Sequence, residues 1–153
     1  GEVEEAAAAF QLAAGGWRAQ QRTNLALEAT VGLAAVAMQR NNLPDAGALI
    51  EPIVPLLMVR APEGTDEPFE MYLTCCRILA ACGDPRAAAL LAAANAQLEE
   101  MAAKITDRQL RHSFWHAAPA HRQLRELWQA AGTQTAGALQ YETGRNGPVS
   151  SPG

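Results

Sequence analysis

The sequence predicts an all-α fold in which antiparallel helix pairs stack one on the next, and three observations carry that expectation. Apolar residues make up 49% of the 153, yet only three Phe, three Trp and two Tyr are among them, and alanine dominates the rest. Alanine has the best intrinsic helix propensity, and its small side chain lets helices approach closely. No run rich in Val, Ile, Thr and aromatics alternates with period two between turn residues, as a strand requires. A pattern of small and large residues starts at Ala6, again at Ala46 and again at Ala87, spacings of 40 and 41 residues that mark stacked repeats.

Each occurrence has a small residue, a larger one four positions on, and a small or apolar one three further. These are Ala6, Phe10, Ala13; Ala46, Ile50, Ile53; and Ala87, Leu91, Ala94. The first, over residues 2–14, is half a pair that Gly15-Gly16 ends, with its partner expected upstream. A pair follows over 19–59: a helix to residue 41 with Leu25, Leu33, Val36 and Ala37 near one face and Ala34 at the small position, then a helix over 44–59. Two prolines and a glycine at 60–67 predict a loop. The next pair covers 68–104; Tyr72, Cys75 and Leu79 share a face, with Cys76 at the small position. Gly83-Asp84-Pro85 joins its helices, since Gly ends a helix, Asp caps the next and Pro suits a first turn. Two shorter helices over 107–131 close the array. The helical domain is thus 1–131, and 132–153, rich in Gly, Ser, Thr and Pro, reads as a disordered tail.

The repeat resembles the tetratricopeptide unit, although its length exceeds the usual ~34 residues and is similar to the long repeats of maltose-regulator-type transcriptional regulators. The order Asp107, Leu110, Arg111, Ser113, Phe114, Pro119, His121, Arg122, Leu124, Trp128 resembles the tail of large bacterial signalling proteins. In these an ATPase or cyclase domain precedes a tetratricopeptide-like array. Where that family has Leu-Glu-Asn-Val before the proline, this chain has Trp115, His116, Ala117 and Ala118. The resemblance implies a short tetratricopeptide-like solenoid with a C-terminal capping helix pair, in which Leu110, Phe114, Leu124 and Trp128 cover the last repeat and His121 packs at the turn after Pro119. It also implies a non-catalytic module that binds a protein or peptide, or else a superhelix that senses a small ligand and regulates an attached ATPase or transcription factor.

Charge and composition narrow the function classes. The net charge of −4 argues against a general nucleic-acid surface, which needs a basic excess to displace phosphate counterions. One region departs from this: residues 104–126 carry five Lys or Arg against Asp107 and Glu126 and are locally +3. The apolar stretch 49–59 is broken by Glu51, Pro52 and Pro55, so no segment approaches the ~18 apolar residues a bilayer span needs. Cys75, Cys76 and Cys82 fall in one helix at spacings that suit neither a disulfide framework nor a metal, and read as small core residues in a reducing, cytoplasmic protein.

Catalytic patterns are weak. His112 and His116 stand four apart on one helix face, but two ligands do not make a site. Ser113 lacks a strand-to-helix elbow, and the glycines lack a phosphate-loop context. The expectation is therefore no enzyme and no cofactor. Recognition falls to the first helices of each pair, which in such arrays line a concave groove and here offer Glu28, Met38 and Gln39, then Glu70 and Arg77. Two full pairs, one half pair and a cap are barely enough for a stack stabilised by neighbours, so an upstream extension or a homodimer through the first helix is also expected.

Overall fold

A computed structural model describes residues 1–19 and 23–143, with side chains to residue 133. Among the described residues the chain forms eight helices and no strand: α1 (Glu2–Ala19), α2 (Thr23–Gln39), α3 (Leu43–Ile50), α4 (Val54–Val59), α5 (Pro68–Ala81), α6 (Arg86–Ala103), α7 (Arg108–His116) and α8 (Pro119–Thr143). None of them is long and apolar enough to cross a membrane.

Local chemistry explains most of the boundaries. Asn41 adopts a left-handed φ of 58° after α2, the Asn42 N–H returns to the Ala37 carbonyl at 2.9 Å, and the Asn41 N–H to that of Met38 at 3.0 Å. Gly83 repeats this ending after α5 with φ 67°, the Asp84 N–H reaching the Leu79 carbonyl at 2.9 Å. In both, the left-handed residue redirects the chain while satisfying carbonyls that a helix end would orphan. The next helices are capped at once: Asn42 accepts from the Asp45 N–H at 3.3 Å, and Asp84 from that of Arg86 at 2.9 Å. Asp107 opens α7 by accepting from the Leu110 N–H at 2.9 Å.

Three boundaries and one buried face differ from the sequence expectation. The helix expected over 44–59 breaks at Glu51–Ile53 into α3 and α4, because Pro52 has no N–H to give and its ring crowds the preceding turn. Gly15-Gly16 does not end α1, which runs on to Ala19. Beyond the glycines, Trp17 lines a cleft against α2 and Arg18 donates to the Thr30 hydroxyl at 3.2 Å, so packing outweighs a helix-propensity cost of about 1 kcal/mol per glycine. In α6 the buried stripe is Leu90, Ala94, Leu98 and Ala102, while Ala87 and Leu91 are only half-buried. Finally, α8 continues through Gly132 to Thr143 where a tail was expected; residues 144–153 of that tail lie outside the described residues.

α1 lies antiparallel along α2, the most extensive helix contact in the molecule. Glu4 meets Arg40 at one end, Arg18 meets Thr30 at the other, and the Phe10 ring occupies the space a side chain at Gly32 would need, 2.4 Å from an added Cβ. α2 then packs on α3 and α5, α5 on α6 and α8, α4 on α6, and α6 and α7 on α8. The core sits where these meet. Ala34, Ala46, Ile50, Ile53, Leu57, Tyr72, Cys75, Ile78, Leu90, Ala94, Leu98 and Leu124 are wholly buried. Small side chains at Ala34, Ala46 and Ala94 let the axes approach; larger ones fill between. A polar clamp closes the loop side: the Tyr72 hydroxyl donates to the Leu57 carbonyl at 2.6 Å and accepts from Gln97, whose amide oxygen accepts from the Ala61 N–H at 2.8 Å.

Candidate functional site

The five groove residues separate into three kinds. Glu28 is employed by the fold: its carboxylate accepts the N–H groups of Asp66 at 3.1 Å and Glu67 at 2.8 Å, holding the turn that starts α5. Met38 is half-buried against the core, and Gln39 is exposed eleven residues along α2 from Glu28, about 16 Å at the helical rise. Glu70 and Arg77 are both exposed on α5, seven residues apart and therefore on one face. Arg77 reaches α8, donating to the Gln123 side-chain oxygen at 2.6 Å. Of the five, Glu70 and Arg77 share a surface, Glu28 stands behind the turn below them, and Met38 and Gln39 are at the far end of α2.

Two concavities flank this surface. One, of about 600 Å³, lies between α1, α2 and the loop before α5 and is lined by Phe10, Ala13, Trp17, Leu25, Ala29, Gly64 and the carboxylate-bearing Glu28, Asp66 and Glu67. Its wall is aromatic and apolar with acidic groups at one side. The other, of about 340 Å³, lies at the C-terminal end between α7 and α8, lined by Trp115, His116, Arg122, Arg125, Glu126 and Gln129. The positive charge of this end is visible in the sequence, while the contact of Trp115 with Arg125 of α8 is not. Arg122 and Arg125 stand three apart on one helix, a spacing that joins them on a face and is the signal available in the sequence.

α7 itself buries little of its surface. It has no buried residue; Phe114 and Trp115 lean half-buried on the core while Leu110 is 64% exposed. Leu124 is wholly buried, but Trp128 is 39% exposed, so the expected apolar cover is made by Leu124 and Phe114 and not by Leu110 and Trp128. The cause is placement: α7 is anchored through its last turns, and its first turn carries Leu110 clear of the bundle. His121 packs as expected, its ring edge-on to Phe69 at 5.0 Å and Nδ1 2.8 Å from the Phe114 carbonyl oxygen, tying α5, α7 and α8 together. His112 and His116 lie on the exposed side of α7 with ring centroids 4.2 Å apart. Among the described residues no three of His, Cys, Asp and Glu are grouped to hold a metal ion.

The cysteines divide. Burial pushes the Cys75 and Cys76 thiols up to about 12, so they are held as neutral core groups. Cys82, expected to be buried with them, is exposed because it follows the last turn of α5, where the chain leaves the core.

The class this geometry defines is an all-α protein whose eight described helices pack against one another. In comparisons with known proteins, no family model, no curated protein and no solved structure matches the chain.

Proposed function

We propose that the chain is a non-catalytic interaction module, a short tetratricopeptide-like array closed by α7 and α8, of a bacterial signalling or regulatory protein of the cytoplasm. On this reading it binds a protein or peptide along the face of α2, α5 and α8. The observation that supports it is the order of contacts: α2 touches α5 and α5 touches α8, with α3 against α2 and α5, and α6 against α5 and α8. On this reading α2, α5 and α8 share a face, which carries Glu70 and Arg77 with charges of opposite sign. A peptide there meets polar groups that orient it beside partly apolar walls.

Selection of peptides from a random library against the protein, followed by affinity measurement on variants, tests this. Glu70→Lys and Arg77→Glu weaken the selected peptides at least tenfold, while Glu99→Lys, exposed on α6, leaves them unchanged. Peptides indifferent to both groove variants would remove the reading.

A second reading rests on the 600 Å³ cleft, whose aromatic and apolar wall with Glu28 at its side suits a small amphiphilic ligand of the kind a sensor superhelix takes. A thermal-shift screen of sugars and nucleotides distinguishes it: ligands that raise Tm in the native protein and not in Trp17→Ala favour the sensor. The homodimer through α1 belongs with the first reading; Leu12, 78% exposed on the outer side of that helix, is its anchor. Light scattering across a concentration series reports it, with Leu12→Glu holding the protein monomeric.

A further inference from the structure

The arginines that pair with carboxylates among the described residues all lie before the C-terminal end. Arg40 pairs with Glu4, Arg60 with Glu63, and Arg86 with both Glu51 and Asp84 at 2.8 Å. At the C-terminal end the described partners are neutral. Arg111 donates to the Ile105 carbonyl at 2.6 and 3.0 Å, Arg122 to the His116 carbonyl at 3.1 Å, and Arg125 lies 4.6 Å above the Trp115 ring. These contacts fix where the guanidinium groups sit without cancelling their charge.

Arg122 and Arg125 both line the 340 Å³ pocket, together with His116 and Trp115. A guanidinium carries five N–H donors in a planar fork that matches the oxygens of phosphate. Arg122 spends one arm on the His116 carbonyl and keeps the rest. Stacking leaves the N–H edges of Arg125 open while restricting the side chain, so less freedom is lost when an anion binds. His116 adds a ring nitrogen on the same wall, its ring steadied by that of His112. Glu126, also in the lining, opposes an anion. With two arginines and one carboxylate, a dianion gains about twice the attraction of a monoanion.

We propose that this pocket binds a phosphate monoester, with Arg122 and Arg125 gripping its oxygens and Trp115 and Gln129 meeting the attached group. The pocket exceeds the volume of a phosphate alone, and the protein's net charge of −4 disfavours a nucleic-acid polymer as the source. The phosphate comes either from a phosphorylated side chain of a partner protein or from a free phosphorylated metabolite. The site shares α8 with the groove but none of its lining residues is Glu70 or Arg77, so the variants that test the two readings are distinct.

The test is a titration of 15N-labelled protein at constant ionic strength with inorganic phosphate, N-acetyl phosphoserine amide, N-acetyl phosphotyrosine amide and ribose 5-phosphate. The indole N–H signal of Trp115, assigned with Trp115→Phe, is followed. A saturable shift is expected, weakened at least tenfold by Arg122→Gln or Arg125→Gln, tightened a few-fold by Glu126→Gln, and unchanged by Arg108→Gln. Tighter binding of the phosphoamino acids identifies a partner protein as the source, and of ribose 5-phosphate a metabolite. A shift that never saturates, or that chloride reproduces, overturns the proposal. Should the arginine variants lose their fold by circular dichroism, Glu126→Gln decides: it keeps both arginines, and binding no tighter than wild type counts against the site.

Discussion

The middle of the molecule, α2 to α6, and its end, α7 and α8, differ in sequence and in what holds them. The middle is rich in Ala, Leu, Ile and Val and the end in Arg, His and Gln. In the middle, wholly buried Leu, Ile, Tyr and Ala side chains interlock, and Arg40, Arg60 and Arg86 pair with carboxylates while Arg77 donates to Gln123 of α8. At the end α7 buries nothing completely, and Arg111, Arg122 and Arg125 rest on carbonyls and an indole. On the proposed reading, the difference separates stability from recognition along the chain. Surface ion pairs contribute little to folding, so leaving the end uncompensated costs the fold little and leaves a field for an anion.

The contrast is broken or upheld most directly by one substitution made in both regions. Leu98→Ala, in the core between α6 and its neighbours, costs about 2–5 kcal/mol, while Leu110→Ala on the exposed turn of α7 stays within about 0.5 kcal/mol. Urea unfolding of the two variants measures this, and equal costs would mean that α7 is as integral as α6. Next is the polar clamp. Tyr72→Phe keeps the ring but orphans the Leu57 carbonyl and a Gln97 donor, and is expected to cost about 1–3 kcal/mol by the same method.

Alkaline titration sharpens the picture of the middle further. The buried thiols of Cys75 and Cys76 ionise at about 12 in the folded protein and at a lower pH once unfolded. A raised folded value means their contribution is fully present below the unfolded value and is lost as pH rises through the folded one. Stability therefore declines between about pH 9 and 12, by on the order of 1 kcal/mol per pH unit per thiol, and Cys75→Ala flattens the curve. Carboxylates act at the opposite limit. The Arg86 guanidinium holds Glu51 and Asp84 below their ordinary range, so whatever stability they lend is present above that range and lost as pH falls through the lowered values.

The smallest effect is expected at α1. Gly15 and Gly16 are helical, exposed, and have open space where a Cβ would go. Gly15→Ala and Gly16→Ala should each stabilise by about 0.5–1 kcal/mol in thermal unfolding. Gly32→Ala behaves oppositely, since its methyl group would meet the Phe10 ring.

Much of the fold was legible because its signals are local. Helical spacing placed Tyr72, Cys75 and Leu79 on one buried face, and Gly83-Asp84-Pro85 ended and restarted helices with groups two to five residues away. Where distant groups decide, local signals do not suffice. Gly15-Gly16 is a stop signal by propensity, yet Trp17 and Arg18 gain enough on α2 to carry the helix through. Glu28 has the pattern of a groove residue, but the N–H groups it accepts belong to residues 66 and 67. Glu70 and Arg77 could be put on one face from their spacing alone; that Arg77 meets Gln123 could not.

What the sequence determined by itself is therefore the class of fold, the pairing of helices through small residues at Ala34, Ala46, Cys76 and Ala94, and the positive charge of the end. Periodicity, capping and net charge are properties of a few neighbouring residues and survive without knowledge of the rest. Only the tertiary structure decided which arginines are neutralised, which leucines of the closing helices are covered, and that Trp115, Arg122 and Arg125 enclose one pocket. Those outcomes depend on which surfaces are left over once α2 to α6 have filled the core.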